Sequence, residues 1–340
     1  SKFSSGIGLA HPLSELEPFF SRLEKRTQES EKIRGLCPTT HLAGPSKEAK
    51  KLGTVLSFLG IETNPILFLL TNTILPWSAT GTWLLERRRR KIAESFPNCM
   101  RELAQLETLG SVVLFAKTQP TVFPDLGAQK LSFKGLFHPL IDRSHVIENE
   151  FEFKDDKSLG LITGSNMSGK STFLRTVGIN QCLANMGAPV FAEKFATRPM
   201  QIETCIEVSD SLRDGFSYFY SEVRRLKALL NEATSGKPVL FLIDEIFRGT
   251  NNRERRIGSR AVIKELARAK QAQGFVSTHD LELSDLEKNE RAVINLHFRE
   301  EIKNDQMLFS YKLKFGPSPT TNALHIMRNE GIQISEEDLV

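Results

Sequence analysis

Cysteine is scarce in this chain. Four residues in 340, Cys37, Cys99, Cys182 and Cys205, are scattered with no metal-ligand spacing. That argues against a thiolate metal centre and fits a reducing, cytoplasmic compartment. No secretory signal opens the chain, and it starts on Ser1 rather than Met, so a piece of a longer protein is expected. Charge of one sign is nearly missing too, at a net +4. Residues 1–127 hold 16 Lys and Arg against 12 Asp and Glu, and the remainder balances at 29 and 29. An excess this small does not by itself imply nucleic-acid binding, but it places any attraction to polyanions in the first part. Long apolar runs reduce to one, Ile66 to Leu85, followed by Arg87 to Lys91. A membrane span with a basic flank is one reading. Asn72, Pro76, Ser78, Gly81 and four threonines interrupt the run, which suits a pair of buried core helices better. The arginine run reads as a solvated helix face or as a contact to DNA phosphates.

What remains is an ordinary globular composition, 40% apolar and 25% charged, long enough for about two domains. A boundary is expected at Thr118 to Gly127, where two prolines and a glycine interrupt a helical pattern. Before it the spacing predicts helices over Leu13–Arg34 and Leu84–Lys117, the second bent or broken at Pro97. After it, strands and helices alternate. Strands are predicted at Leu159–Thr163, Val239–Ile243 and Gly274–Thr278, and helices at Ser171–Met186, Tyr218–Leu230 and Arg256–Gln273. Continuous apolar strands between helical patterns predict an α/β fold with a parallel sheet buried on both faces.

The strand at Leu159–Thr163 runs into Gly164-Ser165-Asn166-Met167-Ser168-Gly169-Lys170-Ser171-Thr172, a G-x-x-x-x-G-K-S loop opening a helix. Glycines let the backbone curl so that its N–H groups point at anionic oxygens. Lys170 brings a point charge to a β/γ-phosphate, and Ser171 offers a hydroxyl to Mg²⁺. The helix N-terminus adds its dipole. Asp244 and Glu245 end the apolar strand. Alternation sends them in different directions, so Asp244 can hold Mg²⁺ while Glu245 takes a proton from the attacking water. A capping or surface pair is the plainer alternative. His279 follows the next strand, where it would sense a γ-phosphate or serve structure alone. Ser217 reads as a helix N-cap.

Together these motifs resemble the MutS mismatch-repair ATPases. Ile162 to Thr172, with its Asn-Met pair, resembles that family's P-loop; Asp244 to Thr250 its Walker B segment; Ser211 to Phe219 its signature loop; Ser277 to His279 its switch histidine. Phe137-His138-Pro139 with Asn149 resembles the lead-in to its first strands, and Phe309 to Leu313 with Gly316 and Asn322 to Leu324 its C-terminal strand and helix. The likeness covers about residues 128–335, with a weaker one to the helical lever at Arg101 to Phe115. It implies a P-loop, ABC-type ATPase that binds ATP and Mg²⁺ and works as a homodimer. Each site would take Lys170, Asp244, Glu245 and His279 from one copy and Ser217 from the other. It implies Tyr311 and Val146 as adenine contacts. It implies DNA as a partner, though 340 residues leave no room for mismatch-reading, connector and full clamp domains. Another ABC-type motor fits less well, because a Leu-Ser-Gly-Gly-Gln signature is missing around Ser217. A nucleotide-dependent scaffold, membrane-attached in a longer protein, is the alternative of a different class.

Overall fold

The computed structural model describes residues 17–59, 77–165, 167–206, 218–247, 250–303 and 306–319. The chain divides into two compact units, Ser1–Leu114 and Phe115–Val340. Most of the run Ile66 to Leu85 lies outside the described residues. Among those described, no helix is long and apolar enough to cross a membrane.

The first unit is helical: α1 (residues 17–29), α2 (Glu31–Leu36), α3 (Pro38–Ala43), α4 (Pro45–Leu59) and most of α5 (Trp77–Thr118). The single helix predicted over Leu13–Arg34 is instead two, because Ser30 leaves helical geometry and caps α2 through Ile33 N–H. Conversely, α5 continues through Pro97. Proline removes one hydrogen bond and costs a few kcal/mol. Burial of Cys99 and Leu103 and the edge contact of Phe96 with Phe20 hold the helix together on either side of it.

Carboxylates on two helices finish the ends of two others. Glu24 accepts from Ser46 N–H at 2.7 Å and from its hydroxyl at 2.6 Å at the start of α4. Glu102 accepts from the N–H groups of Thr39 and Thr40 at 2.7 and 2.9 Å and from the Thr40 hydroxyl at 2.7 Å. Burial alone would raise the Glu102 pKa, but the donors from Thr39 and Thr40 outweigh it and hold the carboxyl below its ordinary value. A depressed folded-state pKa contributes stability above the unfolded value, near 4.3, that is lost as pH falls through the folded value. Glu102→Gln should therefore cost about 1–3 kcal/mol at pH 7. In urea titrations the gap to wild type should close below about pH 4; a gap independent of pH would refute the ionised cap.

The second unit carries two sheets. The large one is built from β3 (Leu159–Thr163), β5 (Gln201–Cys205), β6 (Val239–Asp244), β7 (Ala272–Ser277), β8 (Val293–Lys303) and β9 (Gln306–Phe315), in the order β5-β6-β7-β3-β8-β9. All neighbours are parallel except β8 and β9. A three-stranded antiparallel sheet is formed by β1 (Ser132–Leu136), β2 (Asn149–Glu152) and β4 (Lys194–Ala196), with β1 central. Segment Thr118–Gly127 is fastened to this unit, with Val122 bridged to Val190 and Asp125 paired with Phe195 and Thr197.

Period-two alternation divides the large sheet's side chains between two cores. Val239, Phe241 and Ile243 face α7 (Tyr218–Ala233) and α8 (Asn252–Arg268). Leu240 and Leu242 join α6 (Lys170–Asn185) and the small sheet on the other side, where Phe133, Phe151, Phe153, Phe173, Phe275 and Phe298 form one aromatic cluster. The helix predicted to Gln273 stops at Arg268, and β7 starts at Ala272. Gln273 is strand because its side chain is buried and accepts from Leu131 N–H at 2.9 Å. A short helix, α9 (Leu286–Asn289), leads into β8.

Candidate functional site at the carboxyl edge of the sheet

Strands β6, β7 and β3 are adjacent in that order, so the residues after each meet at one edge. In open parallel sheets this edge is where ligands bind. The Gly164–Thr172 loop leaves β3 and enters α6 at Lys170. Gly164 has φ +144°, and a Cβ there would lie 2.7 Å from the Phe298 carbonyl oxygen. Gly169 has φ +104°, and a Cβ there would lie 3.0 Å from the Tyr311 ring. Neither position takes a larger residue without strain. The resulting curl holds the Lys170 ammonium, which donates to the carbonyls of Gly164 at 2.9 Å and Ser165 at 2.7 Å and is 4% exposed. Ser168 closes the turn by donating to Ser165 O at 2.8 Å. Met167 adopts φ +65° and leaves its side chain exposed. Asn166 lies outside the described residues.

Asp244 is buried at the end of β6 and accepts from two hydroxyls, Ser171 at 2.6 Å through Oδ2 and Ser277 at 2.5 Å through Oδ1. Glu245 follows in left-handed backbone, φ +53°. That turn carries its side chain away from Asp244 and toward β7. There the His279 imidazole touches both neighbouring strands: Nε2 meets Glu245 Oε1, and Nδ1 lies 3.1 Å from the Gly164 carbonyl. A carbonyl only accepts, so Nδ1 carries a proton. Nε2 is left facing the Glu245 carboxylate.

A cavity of about 290 Å³ lies beside the loop. Val146 and Tyr311 line it, together with Gly169, Thr172, Phe137 and Phe173. Burial, followed by the charge of Arg175, lowers the pKa of His138 on the same wall. Tyr311 takes φ +50° in β9 and is held there by Asn149, which donates to Tyr311 O at 3.1 Å and accepts from Leu313 N–H at 2.7 Å.

The structure thus brings Lys170, Ser171, Asp244, Glu245 and His279 into one cluster and sets Val146 and Tyr311 around the cavity next to it. Ser217 lies with residues 207–216 outside the described residues. Two contributors were missed in the sequence. Ser277 was read as strand and as the start of the switch motif but given no task of its own, although its register pairs it with Asp244. Asn149 was noted in a motif but given no task, and its hold on β9 spans 162 positions of sequence.

A family profile described as MutS domain V matches residues 160–335, just over half of the chain. The chain belongs to the MutS family. It is 32% identical over 247 residues to the DNA mismatch repair protein MutS of Listeria welshimeri, covering 70% of this chain and 27% of that protein. It is 29% identical over 251 residues to the DNA mismatch repair protein MutS 2 of Halobacterium salinarum, covering 73% and 29%. With the MutS of Geobacillus thermodenitrificans it shares 28% over 257 residues, 73% and 28% of the two chains. The chain therefore spans under a third of the length of the relatives it matches.

The oxygen donors suit a hard divalent cation. A hydroxyl and a carboxylate already in contact, Ser171 and Asp244, are the kind of sparse protein set that Mg²⁺ accepts when substrate phosphates and water complete its shell. Among the described residues no cluster of three or more His, Cys, Asp or Glu forms a metal cage of the all-protein kind.

Proposed function

We propose that this chain is the ATP-hydrolysing part of a MutS-type protein, using Mg²⁺ and acting as a dimer that couples nucleotide state to DNA in mismatch repair. One observation carries the reading: five groups with the chemistry of phosphoryl transfer converge from the ends of three neighbouring strands. The loop N–H groups and Lys170 hold the β/γ-phosphates. Ser171 and Asp244 would hold Mg²⁺, which neutralises charge on the phosphate oxygens. Glu245 takes the proton of a water as the water oxygen bonds to the γ-phosphorus and the bond to the β-phosphate oxygen breaks. His279, bonded to both Glu245 and the loop, keeps base and loop in register. The cavity lined by Tyr311 and Val146 takes the base, which an aromatic ring can stack upon. Ser217 of a second copy would complete the site across the dimer.

ATP turnover measured without DNA and with homoduplex, mismatched and branched DNA, at two salt concentrations, tests this. Turnover in every condition, and a DNA effect that fades at high salt, is expected if phosphate contacts carry the coupling. ATP turnover that no DNA alters would overturn the coupling to DNA. No turnover in any condition would overturn the hydrolytic role.

A further inference from the structure

Ser277 is fully buried at the end of β7 and lies directly across from Asp244 in the parallel register. Its hydroxyl does two jobs at once. It donates to Asp244 Oδ1 at 2.5 Å and accepts from Glu245 N–H at 3.1 Å. The Ser277 carbonyl takes the same Glu245 N–H at 3.2 Å. One oxygen of Asp244 is thereby fixed on β7, and the other is turned to Ser171 at the start of α6. Glu245 needs its left-handed φ of +53° to send its carboxylate toward His279, and Ser277 holds the amide that sets that angle. One buried hydroxyl thus orients two adjacent carboxylates toward two different places.

We infer that Ser277 is a positioning residue for the divalent cation. It locks the Asp244 carboxylate so that the face shared with Ser171 is presented in one orientation. The inference rests on the ATPase reading above. Partners that orient a metal's ligands typically change metal affinity or activity about 10–100-fold when removed. Without the hydroxyl, Asp244 Oδ1 loses its donor on β7, and the orientation of the face shared with Ser171 is held less tightly.

The test is a Mg²⁺ titration of the 340-residue chain, read by equilibrium binding of a fluorescent ATP analogue and not by turnover alone. For Ser277→Ala the Mg²⁺ concentration at half-maximal binding should rise about tenfold. Affinity for the analogue in EDTA should stay within about twofold, because Lys170 and the loop are untouched. Ser277→Cys keeps the side chain's connectivity with a weaker donor. It should fall between wild type and alanine, and it answers the question if the alanine variant does not fold. In an Asp244→Asn background the Ser277→Ala effect on the Mg²⁺ midpoint should vanish, since the two act as a unit. Unchanged midpoints in folded Ser277 variants, or an equal effect with and without Asp244, would overturn the inference. Wild-type chain that binds the analogue with no Mg²⁺ dependence would instead overturn the metal assignment of Asp244 and Ser171 in the proposed function.

Discussion

Glu245→Gln should leave ATP binding within about twofold of wild type and cut turnover by about 10²–10⁴, the usual contribution of a positioned general base. Glutamine is the informative replacement because it keeps the architecture. The Glu245 N–H bonds to Ser277 do not involve the side chain. Its carboxylate meets His279 Nε2, while His279 Nδ1–H donates to Gly164 O. A glutamine amide can donate to that same Nε2, so a neutral imidazole keeps both contacts. Only proton acceptance is lost. Alanine would also release His279 from β6 and confuse base loss with disorder of the loop that His279 touches. Single-turnover hydrolysis and equilibrium binding of a fluorescent nucleotide separate the two steps. A Glu245→Gln chain that hydrolyses ATP at the wild-type rate would show that another group takes the proton.

Much of the large sheet was legible because its signals are local. Val239 to Ile243 is a short continuous apolar run after Gly236 and Pro238, the pattern of a strand covered on both faces. The Gly164–Thr172 loop announces itself through two glycines whose positive φ and close neighbours bar any Cβ. Elements that depend on distant partners were harder to read. Gln273 looks like helix until its side chain is seen capping the Leu131 amide, 142 positions away. Pro97 looks like a break until burial at Cys99 and Leu103 is weighed against the lost hydrogen bond. The break at Ser30 is a local signal of the opposite kind, a capping serine inside an apolar pattern that otherwise continues. In the site, the residues proposed for the chemistry were visible as motifs, while the tasks of those that aim them were not. Ser277 and Asn149 act through register and through hydrogen bonds between strands, and a single sequence does not show which strands lie side by side. The order β6-β7-β3 places His279 between Glu245 and Gly164, and that order is a property of the sheet and of no one motif.

Lys170→Met should weaken ATP binding about tenfold to a hundredfold, the equivalent of a charge-assisted contact worth about 1.5–3 kcal/mol. Methionine matches the length of the stem without the charge. Lys170 is 4% exposed, and its ammonium donates to two loop carbonyls. Removing the ammonium takes a donor from the Gly164 and Ser165 carbonyls, so a urea titration of the variant accompanies the binding measurement to separate lost affinity from lost stability. Arginine should fail as well. The curl between Gly164 and Ser165 fits a compact ammonium, and a planar guanidinium needs a wider fork. The decisive comparison is between nucleotides. Lys170 is assigned to the β/γ-phosphates, so AMP affinity should change by less than about twofold while ATP affinity falls. Equal losses for AMP and ATP would mean that the substitution deformed the loop. No loss for either would mean that the ammonium serves the loop's own carbonyls and not a substrate.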